Sequence, residues 1–139
     1  MASIIFNSFL DDVFKGNIDC DTDTFYALLT SSSYTEDKDT HDRRDDVTNE
    51  LAASGNYVTG GFVATVTVTK DTVNDRIDVS LGGYTVASAT FTARKAVYYK
   101  RRGGASSADE LVAVNDFGSD VTATAGTFTL SASTVRIQN

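Results

Sequence analysis

At 139 residues, 41% hydrophobic and 22% charged, the chain is sized for one domain spanning 1–139, and it is neither a disordered tail nor a membrane span. A single cysteine, Cys20, excludes an intramolecular disulfide framework and argues against a cysteine-built metal cluster, while the absence of proline leaves glycine and Asn–Asp turns to reverse the chain. A formal charge of −7 opposes nucleic-acid binding by the molecule as a whole.

The opening residues carry no cationic stretch, and Asp11–Asp12 interrupts any longer apolar run, so neither a secretory leader nor a membrane partner is expected. Phe6, Phe9, Leu10, Val13 and Phe14 recur at i, i+3, i+4, i+7 and i+8, with Asn7, Ser8, Asp11, Asp12 and Lys15 turned away. That spacing predicts an amphipathic helix within residues 1–15, with Ser3 as N-cap and Gly16–Asn17 as the stop. Burying five large side chains contributes roughly 8–15 kcal/mol before chain entropy is subtracted. The helix must therefore pack, either on its own sheet or as an exchanged arm on a neighbour.

Asp19, Asp21 and Asp23 alternate as at the start of an EF-hand loop, but Thr24 stands where glycine is needed and Thr30 where a bidentate glutamate belongs. No metal is expected there; Asx turns account for the acids. Phe25 to Thr30 reads as a short apolar strand. Residues 31–50 read as an acidic loop with almost no hydrophobic partners, long enough to imply an interface. His41 lies within it, lacks a second nitrogen or thiol ligand nearby, and reads as a surface histidine. Val47 to Leu51 offers a short turn or strand.

A β-rich core is expected over 60–139. Phe62, Ala64, Val66 and Val68 alternate with Val63, Thr65, Thr67 and Thr69, a half-buried strand. The turn at 71–75 joins it as a hairpin to a strand bearing Ile77, Val79 and Leu81 on one face. A central strand follows from about Thr90 to Arg101, with Phe91, Ala93, Val97 and Tyr99 on one face and Ala96 and Tyr98 on the other. After a loop at 102–108, Leu111 to Phe117 resumes extended structure and ends at Asp116–Ser119. In the last strand Phe128, Leu130 and Ala132 share one parity and Val135 and Ile137 the other, which predicts a bulge or bend near Ser133–Thr134. The sum is an antiparallel β-sandwich or partly closed barrel with one N-terminal helix.

Charge is divided along the chain. Residues 11–50 net −8 and residues 51–139 net +1, with Arg94, Lys95, Lys100, Arg101 and Arg102 gathered in nine positions. Opposite charge on different segments favours contacts between copies, with solvated charge as the plain alternative. The assembly candidates are thus Phe6, Phe9, Leu10 and Phe14 on the helix, Asp37, Asp39, Asp42, Asp45 and Asp46 in the loop, and the five cations. Tyr98 and Tyr99 beside those cations resemble a single-strand nucleic-acid platform, but on a central strand they read as packing. No G-x-S-x-G, H-E-x-x-H or P-loop motif occurs, so no catalytic residue or cofactor is expected.

With these segments placed, the chain resembles a group of small virion proteins of tailed bacteriophages, described variously as head-decoration, cement or tail-associated structural proteins. The likeness is carried by Phe6-Asn7-Ser8-Phe9, Gly16-Asn17-Ile18-Asp19, Asp21-Thr22-Asp23-Thr24, Ala27-Leu28-Leu29-Thr30, Asp39-Thr40-His41, Asp46-Val47-Thr48-Asn49-Glu50, Ala89-Thr90-Phe91-Thr92-Ala93-Arg94, Ala96-Val97-Tyr98-Tyr99-Lys100 and Asp116-Phe117-Gly118-Ser119. Cys20 departs from the pattern, which prefers a larger aliphatic there. The resemblance implies a non-enzymatic capsid decoration protein on the virion exterior. Its partners would be copies of itself and the major capsid protein or another virion protein. The alternative it implies is a tail or neck component, including a host-binding knob.

Overall fold

A computed structural model describes residues 3–138. Met1 and Ala2, which belong to the expected helical segment, and Asn139 lie outside the described residues. The described residues form two antiparallel sheets and one short α-helix, α1 (Asn7–Phe14). Strands β1 (Ile4–Ile5), β2 (Phe25–Thr30), β3 (Phe62–Val63), β6 (Tyr84–Lys100) and β7 (Leu111–Leu130) make a five-stranded sheet in the order β1-β7-β6-β2-β3. Strands β4 (Val66–Asp71), β5 (Arg76–Leu81) and β8 (Ser133–Gln138) make a three-stranded sheet with β5 in the middle. The sheets do not close into a barrel, so of the two expected architectures the sandwich is the one found.

The two sheets face each other across one core, in which Phe25, Ala27, Val86, Ala93, Tyr98, Phe128 and Leu130 meet Val79, Leu81 and Val135. A second apolar layer lies on the outer face of the large sheet, where Leu28, Val97, Tyr99, Leu111 and Val114 are closed over by Phe6 and Tyr34. Strand β6 is central, as its sequence predicts, and is buried on both faces over residues 95–99, while Thr85, Thr90 and Thr92 are exposed; its faces exchange partway along. A register shift between Ala93 and Lys95 places Phe91 and Ala93 in the same layer as Ala96 and Tyr98, and leaves Val97 and Tyr99 in the other. An unpaired residue at such a bulge inverts the parity of all that follow.

Several boundaries differ from the sequence reading for a related reason: strands here bend or change sheets where periodicity suggests a simple continuation or an end. The strand expected over 62–69 divides at Ala64–Thr65, β3 joining the large sheet and β4 the small one. Strand β6 begins at Tyr84, well before Thr90. Strand β7 does not end at Asp116–Ser119; it bulges there, Lys95 facing Asp116 and Ala93 facing Val121, with Gly118 at φ +82°. The parity slip near Ser133 marks the crossing from β7 in one sheet to β8 in the other.

The helix covers its own chain. Phe9 is buried among Ile18, Phe25 and Val79. The helix starts later than expected, with Phe6 at the N-cap and no side-chain cap. Ser3 instead donates from Oγ to Asn115 Oδ1 at 3.4 Å and accepts the Asp116 N–H at 3.0 Å. Two helix positions are reversed relative to the amphipathic reading. Phe14 is 87% exposed at the last turn, whereas Asp12 is buried against Arg43. Gly16, at φ +81°, ends the helix as its sequence indicates.

Candidate functional site

The candidate surface is the outer face of the large sheet, where the acidic segment and the basic stretch meet. Residues 31–50 are largely irregular, with one 3-10 turn at Arg44–Asp46, but they are not without hydrophobic partners. Tyr34 is fully buried on the sheet and Val47 packs beside it. Backbone bonds stitch the segment down: Ser31 N–H to Asn49 C=O, Asn7 N–H to Lys38 C=O, Leu111 N–H to Asp42 C=O and Arg44 N–H to Asp109 C=O.

Charge then joins this cover to the sheet. The Lys95 ammonium is buried against the Glu36 carboxylate and also donates to the Tyr34 carbonyl at 2.7 Å. Arg44 Nε donates to the buried Asp109 carboxylate at 2.8 Å, and its guanidinium lies 5.1 Å from the centre of the Tyr99 ring. Arg102 grips Glu110 with two bonds, at 2.6 and 2.9 Å. Lys100 reaches Asp23 at 2.8 Å, Arg94 reaches Asp116 at 2.9 Å, and Arg101 lies over the Tyr26 ring at 4.5 Å. The five cations are therefore engaged within their own chain. Burying charges forfeits hydration that their attraction only partly restores, so Lys95–Glu36 and Arg44–Asp109, the two of these pairs that reach residues 31–50, orient the cover more than they stabilise it.

The assembly candidates consequently separate. Phe6, Phe9 and Lys95 lie inside the molecule, and Leu10 is half-buried. Phe14, Asp37, Asp39, Asp42, Asp45, Arg101 and Arg102 are exposed. Among the exposed acids, Asp37 accepts the N–H groups of Asp39 and Thr40, which hold its carboxyl below the usual aspartate range. Asp39 accepts from the Asn7 amide. Asp46 is half-buried; burial pushes its carboxyl up, but the N–H groups of Asp42 and Arg43 outweigh this and it titrates low. Asp42 and Asp45 are the acids most open to solvent-borne partners, Asp42 lying 3.9 Å from Arg43.

The residues with potential chemistry are also engaged. His41 Nδ1 accepts the Asp37 N–H at 3.3 Å and lies 3.1 Å from the Tyr34 hydroxyl, its ring stacked on Tyr34. Burial first, and Asp19 and Asp23 after it, raise the Cys20 thiol, the opposite of an activated thiolate. Asp19, Asp21 and Asp23 form a turn, with the Asp19 N–H on the Asp23 carboxylate at 2.7 Å and the Asp21 N–H on Asp19 at 2.9 Å. Among the described residues no group of three or more His, Cys, Asp or Glu is arranged to hold a metal ion, and no helix is long and apolar enough to cross a membrane.

Tyr34, Glu36, Asp109 and Glu110 organise this face, and the sequence reading passes over all four. Tyr34, a lone aromatic in an acidic stretch, is the one signal that could have shown the segment to be a cover. Comparisons with protein-family models, with curated proteins and with solved structures find no match for this chain.

Proposed function

We propose that the chain is a non-enzymatic structural subunit of a tailed-phage virion, a decoration or cement protein that braces the head shell through contacts with its own copies and with the capsid. The observation that carries this reading is the use made of its polar groups. Lys95–Glu36 and Arg44–Asp109 clamp a long loop onto the outer face of the large sheet, which yields a stiff plate, and the lone histidine stacks on Tyr34 within that loop. The resemblance of its sequence motifs to those of phage virion proteins suggests the biological setting. On this reading the protein lies on the capsid exterior, having been made in the host cytoplasm.

The test is position and copy number. Purified protein added to undecorated shells should bind at hundreds of sites per particle, seen as regular extra density at capsomer seams; a single small ring at the tail vertex overturns the reading. A second reading, a tail or neck component touching the host, draws on the β4–β5 hairpin, whose tip presents Val73 at 89% exposure. Binding of the isolated protein to host cells and not to shells would favour it.

A further inference from the structure

Strand β4 is the outer strand of the small sheet and pairs on one side only, with β5. In an antiparallel ladder, successive residues turn their N–H and C=O groups alternately toward the partner strand and away from it. The Gly82 N–H donates to the Thr65 C=O at 2.8 Å, and this pair continues the register that sets Val66 against Leu81. Thr65 therefore points its peptide groups toward β5, as do Thr67, Thr69 and Asp71. Val66, Val68 and Lys70 point theirs outward. Among the described residues, no hydrogen bond from another segment reaches those outward groups. The edge has no proline and no register break, and residues 67–70 are exposed, Val68 at 41%.

We propose that a second copy of this chain docks along β4, the two strands running antiparallel about a two-fold axis through Val68. This rests on the self-assembling role proposed above and names the surface that carries it. A two-fold axis normal to the sheet keeps inner residues opposite inner ones. Centred on Val68, it sets Val68 against its counterpart and Val66 against Lys70 in both directions, so every outward peptide group closes a reciprocal pair. Centring on Thr67 or Thr69 loses one of those pairs. On the outer face Thr67 meets Thr69, and hydroxyl pairs of this kind favour strand association. On the inner face the Val68 pair withdraws from water the side chain that rims the apolar cleft between α1 and the small sheet, lined by Leu10, Val13, Ile77 and Ile137. Lys70 falls at the end of the paired stretch, with its amine in solvent. The opposite edge, β8, is less suited: by the same alternation its outward residues are Thr134, Arg136 and Gln138, and the equivalent register brings two Arg136 side chains together.

The test is register-specific cross-linking in a Cys20→Ser background. Directly opposed residues in such a pair have Cα atoms about 5.5 Å apart, within disulfide reach. Val68→Cys should form a covalent dimer under mild oxidation about tenfold or more faster than Thr69→Cys or Val73→Cys, which are similarly or more exposed. Equal rates, or no dimer, overturn the proposal. Val68→Pro removes an outward donor while leaving the bonds to β5 intact, and should shift sedimenting oligomer to monomer without altering the circular dichroism spectrum. If the unmodified protein associates but neither substitution behaves this way, the edge is wrong and the self-assembly reading stands. If it sediments as monomer at every concentration and Val68→Cys gives no dimer, both fall.

Discussion

Lys95 stands among four other cations in the sequence, yet its ammonium is buried against Glu36 beneath the acidic segment. Removing one member of such a pair strands the other charge in a poorly solvated place. Lys95→Met should therefore lower stability by about 3–5 kcal/mol in urea unfolding, and Lys95→Met combined with Glu36→Leu should recover most of the loss. A backbone constraint lies beside β2 at Gly61, which has φ +79° and comes so close to Ala27 that an added Cβ would lie 1.8 Å from its carbonyl oxygen. Gly103 has a similar φ of +87° with open space around it. Gly103→Ala should cost only the left-handed backbone penalty, about 1–2 kcal/mol, whereas Gly61→Ala should abolish soluble folded protein, read by expression and melting temperature.

At the scale of elements, α1 and its N-cap pack through the buried Phe6 and Phe9 with Leu10 and Val13 half-buried, and Phe14 takes no part. Phe9→Ala should cost about 3–5 kcal/mol, while Phe14→Ala should stay within about 0.5 kcal/mol, both measured by denaturant titration. The cover at 31–50 has a pH dependence of definite sign. Asp37 and Asp46 titrate below the ordinary aspartate value because backbone N–H groups hold their charged forms, in Asp46 against the opposing effect of burial. A depressed folded pKa gives stabilisation that is fully present above the ordinary value and lost as pH falls through the folded one. The side-chain carboxyl carbon shifts of Asp37 and Asp46 should thus report midpoints below the ordinary aspartate value, with the turn at Arg44–Asp46 loosening as pH falls through them.

For the whole molecule, the division of charge along the chain is bridged by Lys95–Glu36 and Lys100–Asp23, while Arg94 and Arg102 pair with acids of their own segment. Several acids of the segment of net −8 therefore remain to meet a partner. Asp42 and Asp45 are exposed, so reversing both to Lys should weaken self-association in sedimentation equilibrium, more at low salt than at high. Asp46→Lys is a different experiment, because that carboxylate accepts the N–H groups of Asp42 and Arg43 and its loss disturbs the fold.

The sequence by itself determined the β-rich class, the hairpin at 71–75, the strand at Phe25–Thr30, the central position of β6 and the helix stop at Gly16, since each follows from local periodicity or turn chemistry. Only the tertiary structure decided what the acidic residues meet. Glu36 reaches Lys95, Arg44 reaches Asp109, and Asp12 reaches Arg43, contacts between residues far apart in the chain that no periodic pattern encodes. It also decided which strands change sheets, because a parity slip reads the same whether the chain bulges within one sheet or crosses to another. A charge's partner is set by where the whole chain folds back on itself, so the division into an acidic and a basic end was legible and the pairing of each charge was not.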